Sequence, residues 1–178
     1  MAGNLILTGF SGTGKSHVGR VIADLTNTEF IDIDSAIVVT TGASVAEIFA
    51  SKGEPHFRML EALALEQACL HNDSVVSTGG GTILSRHNYD IMASSGLIIC
   101  LDARPPTIIE RLKLLDKDIN GIEERPLLTG PDPIGTVAEL KMNRQQFYDL
   151  SNHVIDTDDL TVHEVARIAI ELWGASIE

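Results

Sequence analysis

Apolar and polar positions along the chain follow two different periods. Short runs rich in β-branched residues recur: NLILT at 4–8, EFIDID at 29–34, SVVST at 74–78, LIICLD at 97–102 and HVIDT at 153–157. Each has the length and composition of a buried strand. Stretches with helical spacing separate them, at 16–25, 44–50, 54–70, 105–115, 136–150 and 161–173. The second opens with Ser44 and Glu47 in capping-box spacing, and the last with a Thr-x-x-Glu box. Pro55 stands early in the third, where a missing N–H is tolerated. Ile108, Ile109, Leu112 and Leu115 make one stripe; Val137, Leu140, Phe147 and Leu150 make another. Val162, Val165, Ile168 and Leu172 suit a final docked helix. Strands joined by helix-length connections predict an α/β fold with a parallel sheet covered on both faces. Between 116 and 136 the pattern stops: DKDINGIEERPLLTGPDPIGT is polar, with Gly and Pro, and reads as a long mobile loop or a short helix inside one.

The 178 residues suit one domain, and a 44% hydrophobic content is ample for a single core. The formal net charge of −12 weighs against general nucleic-acid binding, which relies on Lys and Arg along a phosphate backbone. A single small anion needs only a local positive pocket. Cys69 and Cys100 have neither disulfide-framework nor metal-ligand spacing, and both lie in apolar runs as small packing residues. No signal peptide is apparent in MAGNLILTGF, and no apolar run approaches the roughly 20 residues of a membrane span. The expectation is a soluble cytoplasmic protein.

Gly9, Gly14, Lys15 and Ser16 fit G-x-x-x-x-G-K-[ST], with a strand before and a helix after. Such a loop turns backbone N–H groups around an anion, and the helix N-terminus adds a positive dipole end. Lys15 reaches the outer phosphates and the Ser16 hydroxyl suits Mg²⁺. The nucleotide-binding set is Gly12, Thr13, Gly14, Lys15, Ser16 and His17. No Asn-Lys-x-Asp motif is present for guanine, so a small-molecule kinase with a water-excluding lid fits better than a GTPase.

Asp32 and Asp34, two apart at the end of the expected second strand, would share a face towards one site. Asp32 could assist Mg²⁺ and Asp34 could orient an acceptor hydroxyl; a solvated strand-to-helix turn is the alternative. Arg58 and Glu61 are helix neighbours, either a surface ion pair or an arginine aimed at a substrate carboxylate. Phe49 and Phe57 flank them, as core or as pocket wall. Gly79, Gly80 and Gly81 follow the third strand, as a tight turn or as a strip that something approaches closely. Arg111, Arg125 and Arg144 are ambiguous taken singly, although Arg125 could swing over phosphates from the polar loop. The histidines show no metal-ligand spacing, and Trp173 reads as core or helix-end packing.

In order, GFSGTGKS, DIDSAI, GEPHFRMLE, STGGG, ERPLL and KMNRQQFY resemble the shikimate kinases, of the nucleoside-monophosphate-kinase-like P-loop group, from about residue 3 to 172. The resemblance implies a three-layer α/β/α P-loop kinase fold with a five-stranded parallel sheet, one domain over 1–178, and a mobile lid at about 112–135. It implies phosphoryl transfer from ATP, with Mg²⁺, to the 3-hydroxyl of shikimate. Lys15 and Ser16 would serve phosphate and Mg²⁺, with Asp32 assisting the metal. Asp34, Arg58, Gly80 and Arg144 would contact shikimate, with Gly79 and Gly81 beside them. Arg125 would be the lid arginine and Arg111 would pack on adenine. Lys15, Asp34 and Arg125 form the catalytic set. ATP and shikimate are the implied partners of a monomer, with no nucleic acid or membrane. Two departures stand out: the acidic stretch DKDINGIEE, and DTDDLT at the last adenine-contacting loop, without the family's Arg and Pro. The alternatives are a kinase for another polyol acid, such as gluconate, and a nucleotide-binding regulatory module without catalysis.

Overall fold

All five expected strands pair in parallel. The computed structural model describes residues 3–118 and 131–176. Strands β1 (Asn4–Thr8), β2 (Glu29–Asp32), β3 (Ser74–Ser77), β4 (Gly96–Asp102) and β5 (His153–Asp156) form one sheet in the order β2-β3-β1-β4-β5. The helices are α1 (Lys15–Thr26), α2 (Ile33–Thr41), α3 (Val45–Cys69), α4 (Arg86–Ser95), α5 (Pro105–Asp118), α6 (Pro133–Tyr148) and α7 (Val162–Ala175).

The register explains the layers. Leu5 pairs with Val75 and Leu97, and Ile6 with Val76 and Ile98. Side chains alternate along each strand, so Leu5, Leu7, Val75, Ile99 and Leu101 meet Val18 and Ile22 of α1 and Val165 and Ala169 of α7. Ile6, Val76, Ile98 and Cys100 turn the other way, into a core with Leu65, Met92, Ile108 and Val137. Leu5, Ile6 and Leu7 are fully buried, as expected of a central strand covered on both faces. Trp173 closes the far end of the α7 layer, where its indole N–H donates to the Gly3 carbonyl at 3.3 Å.

Both expected capping boxes form, Ser44 with Glu47 and Thr161 with Glu164. The helices expected at 44–50 and 54–70 are the two halves of α3, which breaks at Gly53 (φ 78°, ψ 171°), just before Pro55. Other expectations need correction. The second strand ends at Asp32, not at 34, because Asp32 caps α2 by accepting from the Ser35 N–H at 3.0 Å. Asp32 and Asp34 therefore do not share a strand face; Asp34 lies in the first turn of α2. The β-branched run IVVTT hides that helix, whose buried Ile33 and Ile37 are four apart. Helix α4 was also unexpected, since its polar sequence shows little apolar stripe beyond Met92. Helix α6 begins at Pro133, with Asp132 accepting from the Gly135 N–H, and Leu150 lies beyond its end, 42% exposed. The segment expected as a lid starts inside α5, and Arg125 lies outside the described residues.

Candidate active site

Strand ends on one side of a parallel sheet are where α/β proteins place ligands. The turn after β1 carries Gly9 to Gly14, with Gly14 left-handed (φ 97°) at the start of α1. A cleft of about 590 Å³ opens there, lined by loop residues Gly12 to His17, by Asp32 and Asp34, by Gly79 and Gly80, and by Arg111.

Lys15 is buried, and its Nζ donates to the carbonyls of Gly9 (2.9 Å) and Phe10 (2.8 Å). Burial pushes its ammonium down to about 8, against the pull of Asp34 and Asp32. The Ser16 hydroxyl donates to Asp32 Oδ2 at 2.6 Å, with Ser77 Oγ 3.4 Å away. Asp34 is pushed the opposite way. Burial, then the charges of Asp32 and Glu61, raise its carboxyl to about 6, although Lys15 and Arg58 pull it down. Its Oδ1 is enclosed and has no hydrogen-bond partner among the described residues. A buried carboxylate oxygen without a donor is a position that a ligand hydroxyl can satisfy.

Glu61 organises the neighbouring face. It is fully buried; its Oε2 accepts from Arg58 Nη1 at 2.9 Å and its Oε1 from the Thr82 hydroxyl at 2.7 Å. Glu54 accepts from Arg58 Nε and Nη2 at 3.2 and 3.0 Å. Burial works against the Arg58 guanidinium, but Glu61 and Glu54 outweigh it and hold its pKa above the ordinary arginine value. The pair is thus more than a surface contact. The glycine strip runs beside it: a Cβ on Gly81 would lie 2.8 Å from Arg58 Nη2, and one on Gly80 would lie 3.0 Å from the Ser11 backbone nitrogen. Close approach, not an unusual φ, is what requires glycine here.

Helix α6 supplies Arg144, whose guanidinium lies 5.2 Å from the Phe10 ring centroid and whose Nη1 reaches the Gly80 carbonyl at 3.5 Å. The Tyr148 hydroxyl donates to that same carbonyl at 2.8 Å. Arg58, Gly81 and Arg144 therefore adjoin the cleft through contacts with the strip that borders it. Phe57 is buried and stacks on Phe49 with centroids 4.7 Å apart; neither is among the cleft-lining residues. The sequence reading missed Tyr148, Thr82 and Thr157. Tyr148 follows Arg144 by four, one face of one helix, and that spacing was a usable signal. Thr157 stands at the end of β5, and only the fold brings it to Arg111.

The comparisons with known proteins bear on this geometry. The family model for shikimate kinase matches residues 11–173. The chain belongs to the shikimate kinase family. Among its curated relatives is a shikimate kinase of Caldanaerobacter subterraneus subsp. tengcongensis, 39% identical over 170 residues, 96% of this chain and 95% of the relative. Another, from Symbiobacterium thermophilum, is 37% identical over 94% of each chain. The solved shikimate kinase from Acinetobacter baumannii in complex with shikimate superposes with a TM-score of 0.88 at 29% identity, covering 99% of this chain and 95% of that one. These matches and the five-stranded parallel sheet agree with the three-layer α/β/α kinase architecture. Among the described residues, no single helix is long and apolar enough to cross a membrane.

Proposed function

We propose that the chain transfers the γ-phosphoryl of ATP to the 3-hydroxyl of shikimate, giving shikimate 3-phosphate and ADP. The observation that carries this reading is the meeting of two groups in one cleft: the phosphate loop with Lys15, and Asp34, whose Oδ1 is enclosed, beside the Glu61-bound Arg58. Family membership supplies the acceptor.

In this reading the loop N–H groups and Lys15 hold the nucleotide phosphates. Arg58 and Arg144 grip the acceptor carboxylate, and the strip from Gly79 to Gly81 lies close against the ring. Asp34 orients the attacking hydroxyl and takes its proton as the O–P bond forms, while the ADP oxygen leaves with the old bond's electron pair. Phosphoryl transfer passes through a loose transition state, so alignment and charge stabilisation matter more than strong base catalysis.

Ser16 and Asp32 suit a hard cation, because they bring two oxygens together beside the phosphate loop. No cluster of three or more His, Cys, Asp or Glu side chains occurs among the described residues. Mg²⁺ draws most of its ligands from phosphate and water. When bound, Mg²⁺ would neutralise phosphate charge. Arg111 is assigned to the adenine, His17 to the nucleotide side, and Arg125, outside the described residues, to the phosphates from a lid at about 112–135. The whole chain is read as one kinase domain, a cytoplasmic monomer.

A coupled ADP-release assay with shikimate, with gluconate and with no acceptor tests the reading. Release only with shikimate is expected. Release only with gluconate would assign another acceptor, and nucleotide binding without release would point to a regulatory module.

A further inference from the structure

The residue after β5 makes more hydrogen bonds than a strand end needs. Thr157 is 2% exposed and lies in the wall of the nucleotide cleft. Its Oγ1 accepts from Arg111 Nη1 at 2.8 Å, and its carbonyl accepts from Arg111 Nη2 at 2.6 Å. A guanidinium only donates, so the threonine hydroxyl proton is free to go elsewhere. It points to the Asp102 carbonyl at 2.9 Å, which also receives the Thr157 N–H at 2.8 Å. The Thr13 carbonyl of the phosphate loop is 3.5 Å from the same Oγ1. One buried hydroxyl therefore ties Arg111 to the end of β4, beside the phosphate loop.

The next residue fixes the turn from the other side. Asp158 accepts from the Arg104 N–H at 3.1 Å and from Arg104 Nε at 2.8 Å. The Thr157 carbonyl is thus anchored before any ligand arrives. An unrestrained arginine samples many rotamers and loses that freedom on binding. With both Nη atoms held by Thr157, the edge of Arg111 is already engaged and its planar face is what remains for a ligand. A guanidinium face is a good stacking surface for a flat aromatic ring.

We propose that Thr157 is a positioning residue for the nucleotide: it locks Arg111 as a flat platform for the base. The proposal rests on the reading of this cleft as the ATP site. It accounts for a base site in a loop that has the sequence DTDDLT, because the ordering comes from hydrogen bonds to Arg111, Asp102 and Arg104, not from an arginine within the loop.

The test compares Thr157→Val and Thr157→Ser with the unaltered chain, by calorimetric titration with ATP and with tripolyphosphate, together with steady-state kinetics. Tripolyphosphate engages the phosphate loop and has no base. Thr157→Val is expected to weaken ATP about 10-fold, the scale of one hydrogen bond to a charged group. It should leave tripolyphosphate affinity and the KM for shikimate within about twofold, and Thr157→Ser should restore ATP binding. Arg111→Met should give a similar loss, and combining it with Thr157→Val should add less than about twofold. If Thr157→Val does not fold, Thr157→Cys takes its place. Unchanged ATP affinity, equal losses for ATP and tripolyphosphate, or additive losses in the double variant would each overturn the role. An unaltered chain that binds tripolyphosphate as well as it binds ATP would instead overturn the base site itself, and the role with it.

Discussion

Replacing Asp34 with asparagine should stabilise the ligand-free protein while abolishing most turnover. An ordinary aspartate titrates at 3.8, whereas burial and the charges of Asp32 and Glu61 raise Asp34 to about 6. Between those values the folded chain holds a proton that the unfolded chain has released. Stability therefore falls as pH rises through this window. The penalty is absent well below 3.8 and complete above about 6. At about 1.4 kcal/mol per pH unit it reaches about 3 kcal/mol at neutral pH, an upper value. Asp34→Asn keeps the shape and removes the charge. For a protein of this size, 1 kcal/mol moves Tm by about 2–4 °C, so the gain at pH 7.5 is at most about 6–12 °C.

Thermal unfolding without ligand, at pH 7.5 and again near pH 4.5, separates this account from its rivals. Other carboxylates titrate in both proteins, so the difference between wild type and variant isolates Asp34. The gain should be large at pH 7.5 and mostly gone near pH 4.5. A variant no more stable than wild type at pH 7.5, or one whose gain is the same at both pH values, would refute the electrostatic argument. The same variant in the ADP-release assay tests the chemistry, and near-normal turnover would remove Asp34 as proton acceptor.

Other substitutions probe the acceptor side, the strip and the cation site. Arg58→Ala should weaken shikimate binding by roughly 2–5 kcal/mol if the pair is desolvated, read by calorimetry, and unchanged affinity would end the carboxylate-grip assignment. The same change leaves the buried Glu61 without its cation, so urea unfolding should show a loss of about 3 kcal/mol. Gly80→Ala places a Cβ 3.0 Å from the Ser11 backbone nitrogen, which cannot yield as a side-chain tip would. A rise of about 10-fold in the KM for ATP is expected from such overpacking; equal kinetics would mean that the loop moves aside freely. Asp32→Ala removes both the α2 cap and the partner of Ser16, so about 1 kcal/mol of stability should go and the Mg²⁺ needed for half-maximal activity should rise. An unaltered Mg²⁺ titration would count against Asp32 at the cation site.

How much of this was legible in the sequence differs by element. Strands with an unbroken apolar run, such as NLILT and LIICLD, announced themselves because both of their faces are buried. Capping boxes were equally clear, since Ser44 with Glu47 and Thr161 with Glu164 are local chemistry. Helix α2 was not legible: IVVTT favours a strand by composition, and only the cap at Asp32 and the packing of Ile33 and Ile37 decide for helix. At the site, the phosphate loop was readable because all its parts are contiguous. The Arg58–Glu61 pair was readable as a contact, but the Thr82 hydroxyl that satisfies the other oxygen of the buried Glu61 lies far away in sequence. Thr157 and Arg111 are 46 residues apart, and no spacing rule connects a strand end to the middle of another helix.

Asp34 and Lys15 are displaced towards each other, to about 6 and about 8, although they attract. Both shifts run in the direction that burial imposes, so desolvation outweighs their mutual pull. Without ligand, Lys15 is held by two carbonyls of its own loop, and Asp34 Oδ1 has no partner among the described residues. These are imperfect solutions for a buried cation and a half-buried anion with one enclosed oxygen. A polyphosphate would give the ammonium a full counter-charge, and an acceptor hydroxyl would give Asp34 its missing donor. The two ligands thus relieve separate electrostatic costs in one cleft, and the strip at Gly80, where an added Cβ would lie 3.0 Å from the Ser11 nitrogen of the phosphate loop and whose carbonyl accepts from Tyr148, is where the two halves meet. The instability predicted around Asp34 is then the counterpart of its function, since a fully satisfied carboxylate there would have no reason to take up a hydroxyl.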